Sequence, residues 1–124
     1  MTRVTDWKHP TLALCIVPDL EQEFPMIRHV VMFRFHDEVT AENVVEFSSA
    51  LSAMVPKVPG IVSYEHGPDL GANEGNYDYV VTADFESLAD QAVYRDHPVH
   101  RAVIERFTGP MVAARTSVQF TLGS

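Results

Sequence analysis

A chain of 124 residues that is 46% hydrophobic holds one domain with a real core and leaves no room for a second. Seventeen acidic against nine basic residues give a formal charge of -8, which argues against a nucleic-acid or anionic-membrane partner. The single cysteine, Cys15, excludes an internal disulfide and a thiolate cluster, so a reducing, cytoplasmic compartment is expected.

Residues 1–25 contain Pro10, Pro18 and Pro25 and one short apolar run, Leu12 to Val17, too brief for a membrane span and without a signal-peptide cleavage pattern. They read as an N-terminal extension, with Trp7 as a candidate anchor, and residues 26–124 as the domain, Met26 being a candidate initiator. From Ile27 to Phe35 the odd positions alternate with Arg28, Val30, Met32 and Arg34, which predicts a strand with two largely apolar faces. Thr40 then caps a helix in which Val44, Phe47, Leu51 and Met54 recur at helical spacing, ended by Pro56 and Pro59-Gly60.

A second strand is expected over 61–67, a polar loop over 68–76, and a third strand over 77–85 with Tyr77, Tyr79, Val81, Ala83 and Phe85 on one side. His36 and His66 fall at strand ends and are expected to face solvent. Helical pattern resumes at Ser87 and should stop near Tyr94 or Arg95, because a proline disfavours helical geometry in the residue before it. A new helix starts with Pro98 at its first position, His97 at the cap and His100 in the first turn, and runs through Val103, Ile104 and Phe107 to about Gly109-Pro110. Thr116 to Leu122 supplies the last strand.

The order strand, helix, strand, strand, helix, strand is that of an α+β, ferredoxin-like βαββαβ fold, a four-stranded antiparallel sheet with helices on one face. The other face is left bare with Val30, Met32, Val80 and Val118 on it, so a homodimer through that open sheet face is expected.

Tyr94 and His100 are the candidate chemistry. At a helix start the unpaired N–H groups and the dipole disfavour the imidazolium, so His100 is a proton acceptor, while the Tyr94 hydroxyl can donate to a substrate oxygen. The same residues allow a plainer reading in which His97 caps, His100 is exposed and Tyr94 fills core. His29, in an apolar strand, is either a hydrogen-bonded core histidine or a neighbour of His100. A metal triad of His29, His97 and His100 lacks a carboxylate at suitable spacing, so no metal is expected.

The run Ile27-Arg28-His29-Val30-Val31-Met32-Phe33-Arg34-Phe35, then Val58-Pro59-Gly60, Tyr77-Asp78, Ala83-Asp84-Phe85 and Tyr94-x-x-His97-Pro98-x-His100 together resemble the stress-response A/B barrel (Dabb) family, over roughly residues 26–122. The resemblance implies a dimeric α+β barrel. Through the family's polyketide cyclase branch it implies an aldol closure in a pocket between sheet and helices, with neither metal nor organic cofactor. By position it makes His100 and Tyr94 the catalytic pair and His29 the pocket histidine, with Val31, Phe33, Phe47, Leu51 and Val81 as apolar wall. His97 and Gln119 complete the expected substrate-binding set. Gln119 stands where the cyclase has a last-strand carboxylate that orients its histidine, and glutamine can fix a tautomer but not stabilise an imidazolium by charge. Three functions remain open: a cofactor-independent acid/base enzyme, a module that binds a small hydrophobic ligand without turnover, and a structural, stress-associated dimer.

Overall fold

In β1 (Ile27–Phe35) the two-residue alternation becomes two faces: His29, Val31 and Phe33 are buried, and Arg28, Val30, Met32 and Arg34 are half-buried on the other side. The computed structural model describes residues 26–123, so the expected extension over 1–25, with Trp7 and Cys15, lies outside the described residues. β1 is central in an antiparallel sheet of order β2-β3-β1-β4, with β2 spanning Ser63–Pro68, β3 Tyr79–Phe85 and β4 Val112–Thr121. Sequence order strand, helix, strand, strand, helix, strand is thus realised as the ferredoxin-like arrangement, with the helices on one face.

Residues paired directly across an antiparallel ladder share a face. Val31 pairs with Val81 on one side and Ser117 on the other, and His29 with Ala83 and Gln119. Arg115, Ser117 and Gln119 of β4 therefore lie on the helix side, together with the buried row of β1 and β3.

α1 (Ala41–Met54) starts at a capping box. The Asn43 N–H donates to Thr40 Oγ1 at 3.1 Å and the Thr40 N–H to Asn43 Oδ1 at 2.9 Å. Its buried residues, Phe47, Leu51 and Met54, lie on the sheet, and Phe47 packs edge-on to Phe33 and against Tyr79 and Phe107. Such a buried aromatic contributes on the order of 2–3 kcal/mol by burial alone. Pro56 stops the helix in a 3₁₀ turn over Val55–Lys57.

The second helical segment is broken as expected, one or two residues further on. α2 (Leu88–Asp96) starts at Ser87, whose Oγ accepts the Asp90 N–H, and α3 (Pro98–Val103) starts with proline after His97. α3 does not run smoothly to Gly109. It opens into a π-helical turn over Ile104–Thr108 and a last turn over Gly109–Met111. Pro110 explains the widening: it has no N–H, and its ring would press on the carbonyl four residues back in a regular helix. The Gly109 N–H instead reaches Ile104 O, which also accepts from the Thr108 hydroxyl at 3.0 Å.

Three strands have bounds that differ from the sequence expectation. β2 begins at Ser63 rather than 61 and runs through Pro68. β3 begins at Tyr79 rather than 77 because the Asp78 carboxylate accepts the Phe35 N–H at 2.8 Å, a side chain taking the place of a backbone rung. β4 begins at Val112, four residues before the expected start, and is exposed along almost its whole length. It has no buried row, so its burial does not alternate along the strand, and its register comes from β1, with a bulge at Arg34/Phe35.

The uncovered face carries Val30, Met32 and Val80, with Val118 56% and Phe120 48% exposed. It also carries a fork pair in which Arg28 donates to both Asp84 oxygens at 2.8 and 2.9 Å, and Ser63 Oγ donates to the same carboxylate at 2.6 Å. Among the described residues no helix is long and apolar enough to cross a membrane.

Candidate functional site

Between the helix face of the sheet and the α3 segment lies a cavity of about 540 Å³, within the size range of small-molecule sites. Its apolar wall includes Val31, Phe33, Phe47, Leu51 and Val81, all five of the expected wall residues, with Val103, Ile104 and Val112 added. The π-helical turn supplies part of that wall, since Ile104, Thr108 and Gly109 line the same space.

The polar end gathers His29, His100, Tyr94, Tyr64 and Gln119. His100 comes from the first turn of α3 and Tyr94 from the last turn of α2, and their rings lie 4.1 Å apart between centroids. His100 Nδ1 is 3.1 Å from the Arg95 carbonyl oxygen. A carbonyl only accepts, so Nδ1 carries the proton and Nε2 keeps the lone pair. Burial holds the imidazole below its ordinary range, with the Arg101 charge acting the same way and the Arg95 carbonyl opposing them. The group is therefore a neutral base at neutral pH.

Tyr94 is 4% exposed, and its hydroxyl lies 3.0 Å from that of Tyr64 on β2. If Tyr64 donates, the Tyr94 proton remains available to a ligand oxygen and is the stronger donor for it. Burial raises both phenols above their ordinary range, so both stay protonated. His29 is 7% exposed and its Nδ1 accepts from Gln119 Nε2 at 3.3 Å, which leaves the ring proton on Nε2. Burial, then the charges of Arg115 and His100, lower its pKa. The two histidines thus present complementary forms, an acceptor at His100 and an N–H at His29.

Two of the expected cavity residues need correction. Gln119 lines the cavity but bonds His29, its direct partner across the β1–β4 ladder, whereas His100 is oriented by a backbone carbonyl. His97 does not line the cavity: its Nδ1 accepts the Val99 N–H at 3.1 Å and caps α3. Of the imagined metal triad, His29 and His100 both line the cavity, each in ring contact with Tyr94, and His97 does not join them. Among the described residues no group of three or more His, Cys, Asp or Glu side chains is disposed to hold a metal.

His66, expected in solvent, is half-buried, with Nδ1 2.7 Å from Tyr79 Oη and Nε2 3.0 Å from Ser52 Oγ. Sequence reasoning missed Tyr64, Arg101 and Arg115 at the cavity. Tyr64 shares the strand period of His66, so the expectation of a solvent-facing His66 hid it as well. Arg115 was not, because it precedes the expected start of the last strand.

The fold and cavity define a class: a ferredoxin-like α+β domain with a histidine–tyrosine pair at the polar end of an apolar space. The family model of the Stress responsive A/B Barrel Domain, Dabb, matches residues 27–122, and the chain belongs to that family. It is 39% identical to a dimeric ferredoxin-like protein of unknown function from Thermobifida fusca, with a TM-score of 0.75 over 86% of this chain and 99% of that one. It is 28% identical over 76 residues to olivetolic acid cyclase of Cannabis sativa, covering 60% of this chain and 75% of the cyclase. The hydroxynitrile lyase of Passiflora edulis shares the fold, with a TM-score of 0.71 at 15% identity over 82% of this chain and 96% of the lyase.

Proposed function

We propose that residues 26–124 act as one domain, with 1–25 as its extension, in a cytoplasmic homodimer joined through the open sheet face. The domain takes a small, largely apolar carbonyl compound into the cavity and carries out acid/base chemistry of the polyketide cyclase, aldol type, without a cofactor. The observation that carries this reading is the His100 imidazole, held by the Arg95 carbonyl with its Nε2 lone pair left to accept and its ring tilted against Tyr94 at the polar end of an apolar cavity.

In that reaction His100 Nε2 takes a proton from carbon next to a substrate carbonyl, whose oxygen gains negative charge and is met by the Tyr94 hydroxyl. The enolate carbon adds to a second carbonyl of the same chain, forming the new C–C bond. The resulting alkoxide takes the proton back from the imidazolium. The cyclase relative supports this direction.

A second reading, binding without turnover, draws on one observation: no Asp or Glu lines the cavity, so no carboxylate there orients His100 or pairs with its imidazolium, and Asp96 nearby is forked onto Arg95. Incubation with a linear poly-β-keto thioester, followed by mass spectrometry, separates the two. The first reading expects a cyclised product whose rate falls about 100-fold or more in His100→Ala. Ligand-induced thermal stabilisation with no product favours the second, and no stabilisation by any such compound removes both.

A further inference from the structure

The chain is acidic overall, with a formal charge of -8, yet the cavity reverses that balance: Arg95, Arg101 and Arg115 line it and no Asp or Glu does. The arginines differ in what already engages them. Arg28 is forked onto Asp84 and Arg95 onto Asp96, Arg34 donates to the carbonyls of Gly75 and Asn76, and Arg106 lies over the Phe107 ring. Among the described residues, the Arg101 and Arg115 guanidiniums make no hydrogen bond, ion pair or ring contact; Asp96, whose carboxylate feels the Arg101 charge, is itself forked onto Arg95. Both unpaired guanidiniums border the same cavity, Arg101 from α3 in the helix layer and Arg115 from the helix side of β4, paired with Phe33.

We infer that the cavity takes an anionic amphiphile, its apolar body against Phe33, Phe47 and Val103 and its carboxylate head held by Arg101 and Arg115. This rests on the reading of the cavity as a ligand site and adds the charge of the occupant. A guanidinium presents a planar fork that matches a carboxylate in two parallel hydrogen bonds; no acidic residue lines the cavity, and Asp96, near Arg101, is already held by Arg95. The field of the two arginines reaches the polar end: Arg115 contributes to holding His29 in its neutral form and Arg101 does the same for His100. The same field that favours an anionic head favours the enolate over the imidazolium. A neutral apolar ligand uses the wall and leaves both cations idle.

Titration calorimetry of the full chain with para-pentylbenzoate, para-pentylbenzamide and para-pentylphenylphosphonate tests this, in wild type, Arg101→Gln, Arg115→Gln and the double variant. The benzoate is expected to bind about tenfold more tightly than the near-isosteric amide, and added salt to weaken the benzoate but not the amide. The double variant is expected to lose that preference while keeping amide affinity within about twofold. Equal affinity for benzoate and amide in wild type overturns the anionic head while leaving the cavity reading in place. A preference that persists in the double variant overturns the two arginines as its source. A phosphonate that outbinds the benzoate by about tenfold replaces the carboxylate by a phosphate-type head. No binding of any of the three at millimolar concentration overturns the inference together with the cavity reading.

Discussion

The His100 imidazole lies against the Tyr94 phenol with 4.1 Å between ring centroids and 30° between planes, although six positions separate them along a helical segment. In an unbroken helix residues six apart point about 240° from one another and cannot meet. The break at His97-Pro98 redirects the chain so that the last turn of α2 and the first turn of α3 present their rings to one space. The proline is thus part of the site without touching it.

His97 sits at that break as a cap, so its loss should be read in stability rather than in ligand affinity. His97→Ala leaves the Val99 N–H without its 3.1 Å acceptor and should lower stability by about 1 kcal/mol. His97→Asn should recover most of it, since asparagine is among the best caps. Chemical denaturation of the three proteins, with benzoate affinity measured alongside, checks this. An affinity loss in His97→Ala as large as that in His100→Ala would place His97 in the cavity after all.

The pH dependence has a defined sign. His29, His66 and His100 are each held below the ordinary 6.5 first of all by burial. Between their folded values and 6.5 the unfolded chain binds more protons than the folded one, so stability is full above 6.5 and falls as the pH drops below it. Any turnover should follow the same direction, because His100 must be neutral to accept a proton. Thermal melts from neutral to mildly acid pH should show the fall, and His100→Gln should flatten part of it. Melting temperatures that rise on acidification through this window would contradict the burial of these imidazoles.

Gln119 bonds His29 and not His100, which separates two effects that a carboxylate at this position would otherwise mix. Gln119→Glu should raise the His29 pKa, placing a negative charge where an amide now donates to Nδ1, and leave the His100 titration and the acid limb of activity in place. Histidine titration by NMR reads the two rings separately. A shift at His100 equal to that at His29 would mean the glutamate reaches both, and His100 would not be oriented by backbone carbonyls alone.

The fold was legible because its central elements are patterned by burial. β1 alternates, α1 repeats Phe47, Leu51 and Met54 at helical spacing, and proline marks the α2–α3 break. The apolar half of the site followed, since wall residues such as Val31 and Val81 are also core. What stayed illegible depends on partners distant in sequence. β4 is exposed and takes its register from β1, so Arg115 could not be placed from its neighbours. The orientation of His100 rests on a backbone carbonyl, which no side-chain pattern reports. The π-helical turn follows from Pro110 inside a helix that periodicity alone would have carried straight to Gly109.

The open sheet face yields the last prediction. Val30 pairs across the ladder with Val118 and Met32 with Val80, so one contiguous apolar strip crosses three strands, flanked by the Arg28–Asp84 fork. Val118 and Phe120 remain 56% and 48% exposed on this strip, apolar surface that a dimer stacked through the face would cover. Several similar solved proteins are dimeric, among them the Thermobifida fusca one. In a dimer stacked through this face, a lysine at position 32 would place an ammonium between apolar rows with no carboxylate opposite it in its own ladder, where Val80 and Thr116 stand. An unpaired charge in such an interface is far costlier than the contacts it replaces. Met32→Lys should therefore convert a dimer at micromolar concentration into a folded monomer, with sedimentation velocity reporting the mass and far-UV circular dichroism the retained fold. A wild type that sediments as a monomer, or a Met32→Lys protein that remains dimeric, would place the interface elsewhere.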